Sequence, residues 1–163
     1  AGVVVISEEL MRLLDQEELE GVIAHELAHI RNRDVIMMVV GQSIASMIGI
    51  AVYFLTVMGN RNFGAMIVGW IMSSIAQMIV MMFVLAISRY REYVADADAA
   101  ETIGRGEPLA RALEKISNAG QGAKVDDRVN ALCIFGGGER SLMQKIFSTH
   151  PPTEKRISRL RSY

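Results

Sequence analysis

Charge is nearly missing from a long interior stretch of this sequence: between Val35 and Ser88 the only Asp, Glu, Lys or Arg is Arg61. That absence excludes a water-facing surface for most of those residues, because a helix in water needs a polar side. Cysteine is scarce as well. Cys133 stands alone, so no disulfide can form within the chain, which fits a reducing compartment. Neither charge sign dominates. Lys and Arg number 17 against 18 Asp and Glu, a formal net charge of -1, and bulk electrostatics gives no reason to expect a nucleic-acid partner. There is no internal repeat and no signal-peptide pattern. The sequence opens on Ala-Gly rather than Met, and the expectation is a fragment whose N-terminal part is left out. Its 163 residues are enough for one domain with a real core.

What is present falls into two populations. Residues 35–58 and 65–88 carry no charge. A helix of that length reaches about 36 Å, against a hydrocarbon core of about 30 Å. Between them, "GNRNFG" at 59–64 makes a short polar turn. The expectation is a transmembrane hairpin over 35–88, since buried core helices rarely run so long without a polar side. Gly41, Ala45 and Gly49 recur every four residues and allow two helices to approach closely. Methionine is concentrated in both spans, as lipid-facing or packing filler. Arg31 and Arg33 precede the first span, and Arg89 and Arg91 follow the second. The positive-inside rule therefore directs both outer ends to the cytoplasm.

The flanking segments, 1–34 and 89–163, read as mainly helical with a small sheet, an α+β arrangement. "GVVVIS" at 2–7 is the strand candidate. Ser7 caps "EELMRLL", and Asp15 with Glu18 forms a capping box for a helix over roughly 16–33. "RYREYVADADAAETI" continues in helix formers to Gly104, and "EPLARALEKISNAG" reads as a further helix with Pro108 in its first turn and Gly120 beyond its end. The stretch from "QGAKVDD" to "GGGER" reads as irregular, with short helices at "SLMQKIF" and "TEKRISRL".

The chemistry concentrates in "HELAH" at 25–29. On a helix, His25 and His29 project from one face one turn apart, the spacing that grips a single metal ion. Zinc lowers the pKa of bound water to about 7, and Glu26 stands where a carboxylate can take that proton. A solvated helix with two surface histidines fits the apolar flanks of "VIAHELAHI" poorly. A third ligand is needed. Asn32 and Val35 stand where an extended HExxHxxGxxH pattern requires Gly and His. "EYVAD" offers Glu92 as the ligand, with Asp96 one turn on to hold a ligand histidine in place. The first span starts just after "HELAH" and the second ends just before "REYVAD", so a hairpin that leaves and returns brings the two motifs together. The remaining histidine, His150, lies in "STHPPTEKRISRL". Two roles stand open for it: hydrogen bonding to a developing oxyanion or substrate backbone with Arg156 in support, or packing at the start of a helix.

At these residues the chain resembles the HtpX family of membrane zinc metalloproteases, related to the CAAX prenyl proteases. The resemblance runs from "VVVISEELMRLL" through "GVIAHELAHIRNRD", the paired spans, "SRYREYVADADAA" and "ALCIFGG" to "STHPPTEKRISRL". It implies a zincin-like catalytic domain with an inserted two-helix membrane hairpin, one Zn²⁺ per chain, and a cytoplasm-facing site in a bacterial or archaeal inner membrane. It also implies endopeptidase activity in quality control of damaged or misfolded membrane proteins. The family often has Asn-Gly-Asp after its HExxH helix; here Asn32-Arg33-Asp34 stands there, a departure expected to affect the local turn.

The resulting expectation is a zinc endopeptidase with His25, His29 and Glu92 on the metal and Glu26 as general base. Val3, Val4 and Val5 would pair with an extended polypeptide substrate by strand addition. Its main rival is a metal-binding membrane scaffold without hydrolase activity, which would have no need of Glu26. A transporter-type hairpin is disfavoured because neither span contains an ionisable relay.

Overall fold

Local signals set the first two helices. The computed structural model describes residues 2–59, 62–122 and 151–163. The Ser7 hydroxyl accepts from the Leu10 amide at 3.2 Å and opens α1, Glu8–Leu13. Asp15 and Glu18 form the reciprocal capping box that opens α2, Gln16–Arg31, satisfying two amides that a helix start otherwise leaves unpaired. The helix stops two residues short of the sequence expectation. Arg33 takes the left-handed conformation, φ 55° and ψ 42°, and so breaks the run before α3, Asp34–Val57.

The second apolar stretch does not end with its apolar residues. It belongs to α4, Phe63–Ile103, a single helix, because no Gly or Pro lies between Trp70 and Ile103. Gly104, at φ +85°, ends it in the left-handed conformation typical of a helix C-terminus. Then come α5, Glu107–Gly122, and α6, Thr153–Leu160. Helix α5 runs past Gly120, expected to lie beyond its end. Glycine weakens a helix by only about 1 kcal/mol, and no proline stands there to stop it.

No strand is found among the described residues. Residues 2–7 have no regular secondary structure, and the small sheet is not seen. Val4 and Ile6 are half-buried while Val3 and Val5 are exposed, the alternation that a strand would show. Cys133, His150 and the helix expected at "SLMQKIF" lie outside the described residues.

The chain divides into two units, Arg33–Ser88 and the pair Ala1–Asn32 with Arg89–Tyr163. In the two-segment unit, Ala99, Ala100, Leu109, Ala110 and Leu160 form the core, with Val22, Ala24, Leu113 and Ile157 packed on it. A methyl group on Gly106 would collide with the Leu160 backbone, so α5 starts hard against the end of α6. Buried Glu18 receives the Lys115 ammonium at 2.6 Å and ties α2 to α5.

The hairpin unit packs through small residues. A methyl on Gly41 would meet Val84 at 3.0 Å, and one on Gly49 would run into Gln77. Ala45 between them is buried. This is the close approach expected from their four-residue spacing. Both α3 and α4 are long and apolar enough to cross a membrane.

Candidate metal centre

The two-segment unit brings five of the sequence-expected site residues together. Helix α2 carries His25 and His29 on one face, with ring centroids 4.6 Å apart and Nε2 atoms 3.1 Å apart. From α4, Glu92 places Oε2 at 3.6 Å from Nε2 of His25 and Oε1 at 3.5 Å from Nε2 of His29. One donor atom from each residue fits within a 4.8 Å cluster.

This donor set fits a tetrahedral metal. Zn–N bonds of about 2.0–2.1 Å put two nitrogens roughly 3.3 Å apart, close to the spacing found here. Two imidazole lone pairs aimed at one point repel each other, so the arrangement calls for a cation or a proton between them. Two nitrogens with one carboxylate are zinc-type donors, and three protein ligands leave a position open.

Behind the donors lies a buried polar layer. Nδ1 of His25 is fully buried and sits 3.1 Å from Asp96 Oδ1. The approach is oblique, a charge contact rather than a well-directed hydrogen bond, and it favours the proton on Nδ1. Nε2 thereby keeps its lone pair for the cluster. Arg156 reaches in from α6. Its Nε donates to Asp96 Oδ2 at 2.8 Å and its Nη2 to Asp96 Oδ1 at 2.6 Å. Nη1 lies 2.8 Å from Glu92 Oε2. The two-pronged pairing with Asp96 is the strong form of this interaction. Sequence reasoning had Arg156 supporting His150, which lies outside the described residues. Arg156 balances Glu92 and Asp96, and the local sequence holds no signal for a contact between residues so far apart.

Electrostatics differs between the two histidines. Burial works to lower the pKa of His25, but the Asp96 and Glu92 carboxylates outweigh it and the value lies above the ordinary one. His29 is lowered, by burial first and then by the positive charge of His25. Burial pushes Asp96 up, yet its contacts with His25 and Arg156 bring it below the usual carboxylate range. Arg156 is raised despite its burial, chiefly by Asp96.

Glu26 follows His25 on α2 with its side chain exposed, open to a reactant. At the other end of the expected site, Val3 and Val5 are solvent-facing. Gly2 lies against the Ile30 side chain of α2.

A set of contacts that the sequence reasoning missed sits one turn beyond His29. The Asn32 amide donates to Asp98 Oδ2 at 2.8 Å, and Arg91 Nη2 donates to the Asn32 carbonyl at 2.7 Å. Arg31 adds an ion pair with Asp98 at 3.1 Å. The only hint in the sequence is that Asn32 stands at a helix end.

Known proteins extend these observations. The chain is 49% identical to a protease HtpX homolog of Halobacterium salinarum, an alignment covering 99% of this chain and 64% of that protein. Homologs so named from Desulforapulum autotrophicum and Aquifex aeolicus are 38% and 40% identical, over 98% and 96% of this chain and 55% and 57% of theirs. The chain thus spans less than two thirds of the length of these relatives. No solved structure matches it. The sequence profile described as peptidase family M48 matches residues 1–163, taking in both histidines, Glu92, Asp96 and Arg156, and on that match the chain belongs to peptidase family M48.

Proposed function

We propose that this chain forms part of a membrane-anchored zinc endopeptidase. The observation that carries this is the convergence of His25, His29 and Glu92 on one point in a chain of family M48. These three residues hold one Zn²⁺. Bound there, the ion supplies Lewis acidity, which acidifies water and polarises a peptide carbonyl. Glu26 takes the proton of the attacking water on a carboxylate oxygen and passes it to the leaving amine nitrogen. Asp96 holds the His25 ring, and Arg156 holds Asp96 and Glu92. His150 is assigned to the oxyanion or the substrate backbone.

Val3, Val4 and Val5 bind an extended polypeptide by strand addition, for which a β-branched run with Val3 and Val5 facing solvent is suited. Residues 35–58 and 65–88 span the bilayer, with the site on the cytoplasmic side, where arginines flank both outer ends. Substrates are polypeptides, and the resemblance of the sequence to the HtpX family implies misfolded or damaged membrane proteins among them.

The test compares Glu26→Gln with the parent chain for cleavage of an unfolded protein, with bound zinc quantified in both. Equal zinc with cleavage reduced about 10²–10⁴-fold is expected for loss of a general base. Equal cleavage would refute the role of Glu26. Zinc bound with neither chain active would favour the scaffold reading, unless restoring the segments by which the relatives are longer brings activity back.

A further inference from the structure

The metal ligands stand on two helices, and something must set the register between them. The apolar core that α2 and α4 join holds Ala24, Ala99 and Ala100 together with Leu109, Ala110 and Leu160, and apolar packing is non-directional. Apart from the contacts that His25 and His29 make with Glu92 and Asp96, the directional contacts between these helices among the described residues are those of Asn32 and the Arg31–Asp98 ion pair. On α2, Asn32 follows His25 and His29 at helical spacing on their own face. On α4, Arg91 and Asp98 are two turns apart along one face and bracket Glu92 and Asp96 in sequence. Asn32 engages both: its side-chain amide donates to Asp98 at 2.8 Å, and its backbone carbonyl accepts from Arg91 at 2.7 Å. Two anchor points at different heights on α4 oppose both sliding and rotation of one helix against the other. Arg91 also brings positive charge to the C-terminal end of α2, where the helix dipole favours it.

We infer that the Asn32–Asp98–Arg91 clasp positions Glu92 against the two histidines and so sets the affinity of the site for its metal. This rests on the metal reading proposed above. Metal sites need their ligands held within about 0.5 Å, and a slip of α4 along α2 would exceed that. Asn32, Asp98 and Arg91 act only through the ligands they position.

Zinc affinity of the full chain in detergent, measured by chelator competition, tests the clasp alongside the unfolding midpoint of the metal-free protein. Asn32→Asp sets two carboxylates against each other and is expected to weaken zinc binding about tenfold, the low end for loss of an outer-layer partner. Adding Asp98→Asn restores a donor–acceptor pair with reversed polarity and should recover most of that loss. A role confined to folding would move the unfolding midpoint and leave zinc affinity unchanged. Should Asn32→Asp fail to fold, Asn32→Ala removes the donor without repulsion and is expected to act in the same direction. Parent-like affinity in a folded single variant would overturn the clasp, as would a double variant no tighter than the single. Failure of the parent chain itself to take up zinc would instead refute the metal reading, and the clasp with it.

Discussion

Residues 33–88 and the two segments flanking them differ in the polar groups they bury. The flanking unit places Glu18, His25, Glu92, Asp96 and Arg156 inside, where charge is costly unless each group meets a partner. The hairpin unit buries Ala45, Gly49, Gly69, Ser73, Val84 and Leu85, and turns large apolar groups such as Leu55, Trp70 and Phe83 outward. The first arrangement suits a unit in water and the second a unit in lipid, where small residues let helices pack closely. In the flanking unit, precision comes from hydrogen bonds that cannot shift without loss. In the hairpin it comes from steric fit.

The largest test removes the cation from the buried layer. Arg156→Met leaves Glu92 and Asp96 buried without their counter-charge, and a loss of about 3–5 kcal/mol is expected in metal-free protein. Chemical denaturation at neutral pH measures it. Added zinc should recover part of the loss by neutralising Glu92. A cost below about 1 kcal/mol, the range of a surface pair, would break the contrast between the units.

The matching change in the hairpin is Gly49→Leu, which drives a side chain into Gln77. Overpacking of this kind costs about 1–3 kcal/mol, to be read as a lower unfolding midpoint in detergent. Zinc affinity should stay put if the two units keep their energetics separate, and a coupled loss would show that they do not. The smallest effect lies at the boundary and has the opposite sign. Arg33 stands in the left-handed conformation, which costs a residue with a side chain about 1–2 kcal/mol. Arg33→Gly is expected to recover about 1 kcal/mol, visible as a raised unfolding midpoint. No gain would mean that Arg33 makes compensating contacts.

Much of this was legible because it is local. Ser7, Asp15 and Glu18 cap helices through neighbours three residues away, and Gly41, Ala45 and Gly49 signal close packing by spacing alone. Glu92 and Asp96 stand one turn apart, so their common direction follows from helix geometry. Other features depend on distant partners. Whether Val3 to Val5 form a strand depends on a second strand, about which their own residues say nothing. Arg156 meets Asp96 only because α6 packs where it does, and the Asn32 clasp needs α4 beside the end of α2. The continuity of α4 was half visible: helix formers follow Ser88 without a breaker, yet the change in polarity there suggested a boundary.

The order of the chain adds a consequence in time. His25 and Arg156, 131 positions apart, meet in the finished site. At about 5–20 residues per second, ribosomal synthesis takes roughly 7–26 s to cover that distance. Throughout that interval the histidine helix exists without Arg156, and for the first part of it without Glu92. A nascent chain therefore cannot assemble this centre until both apolar helices have been made, and competence arrives last, with α6.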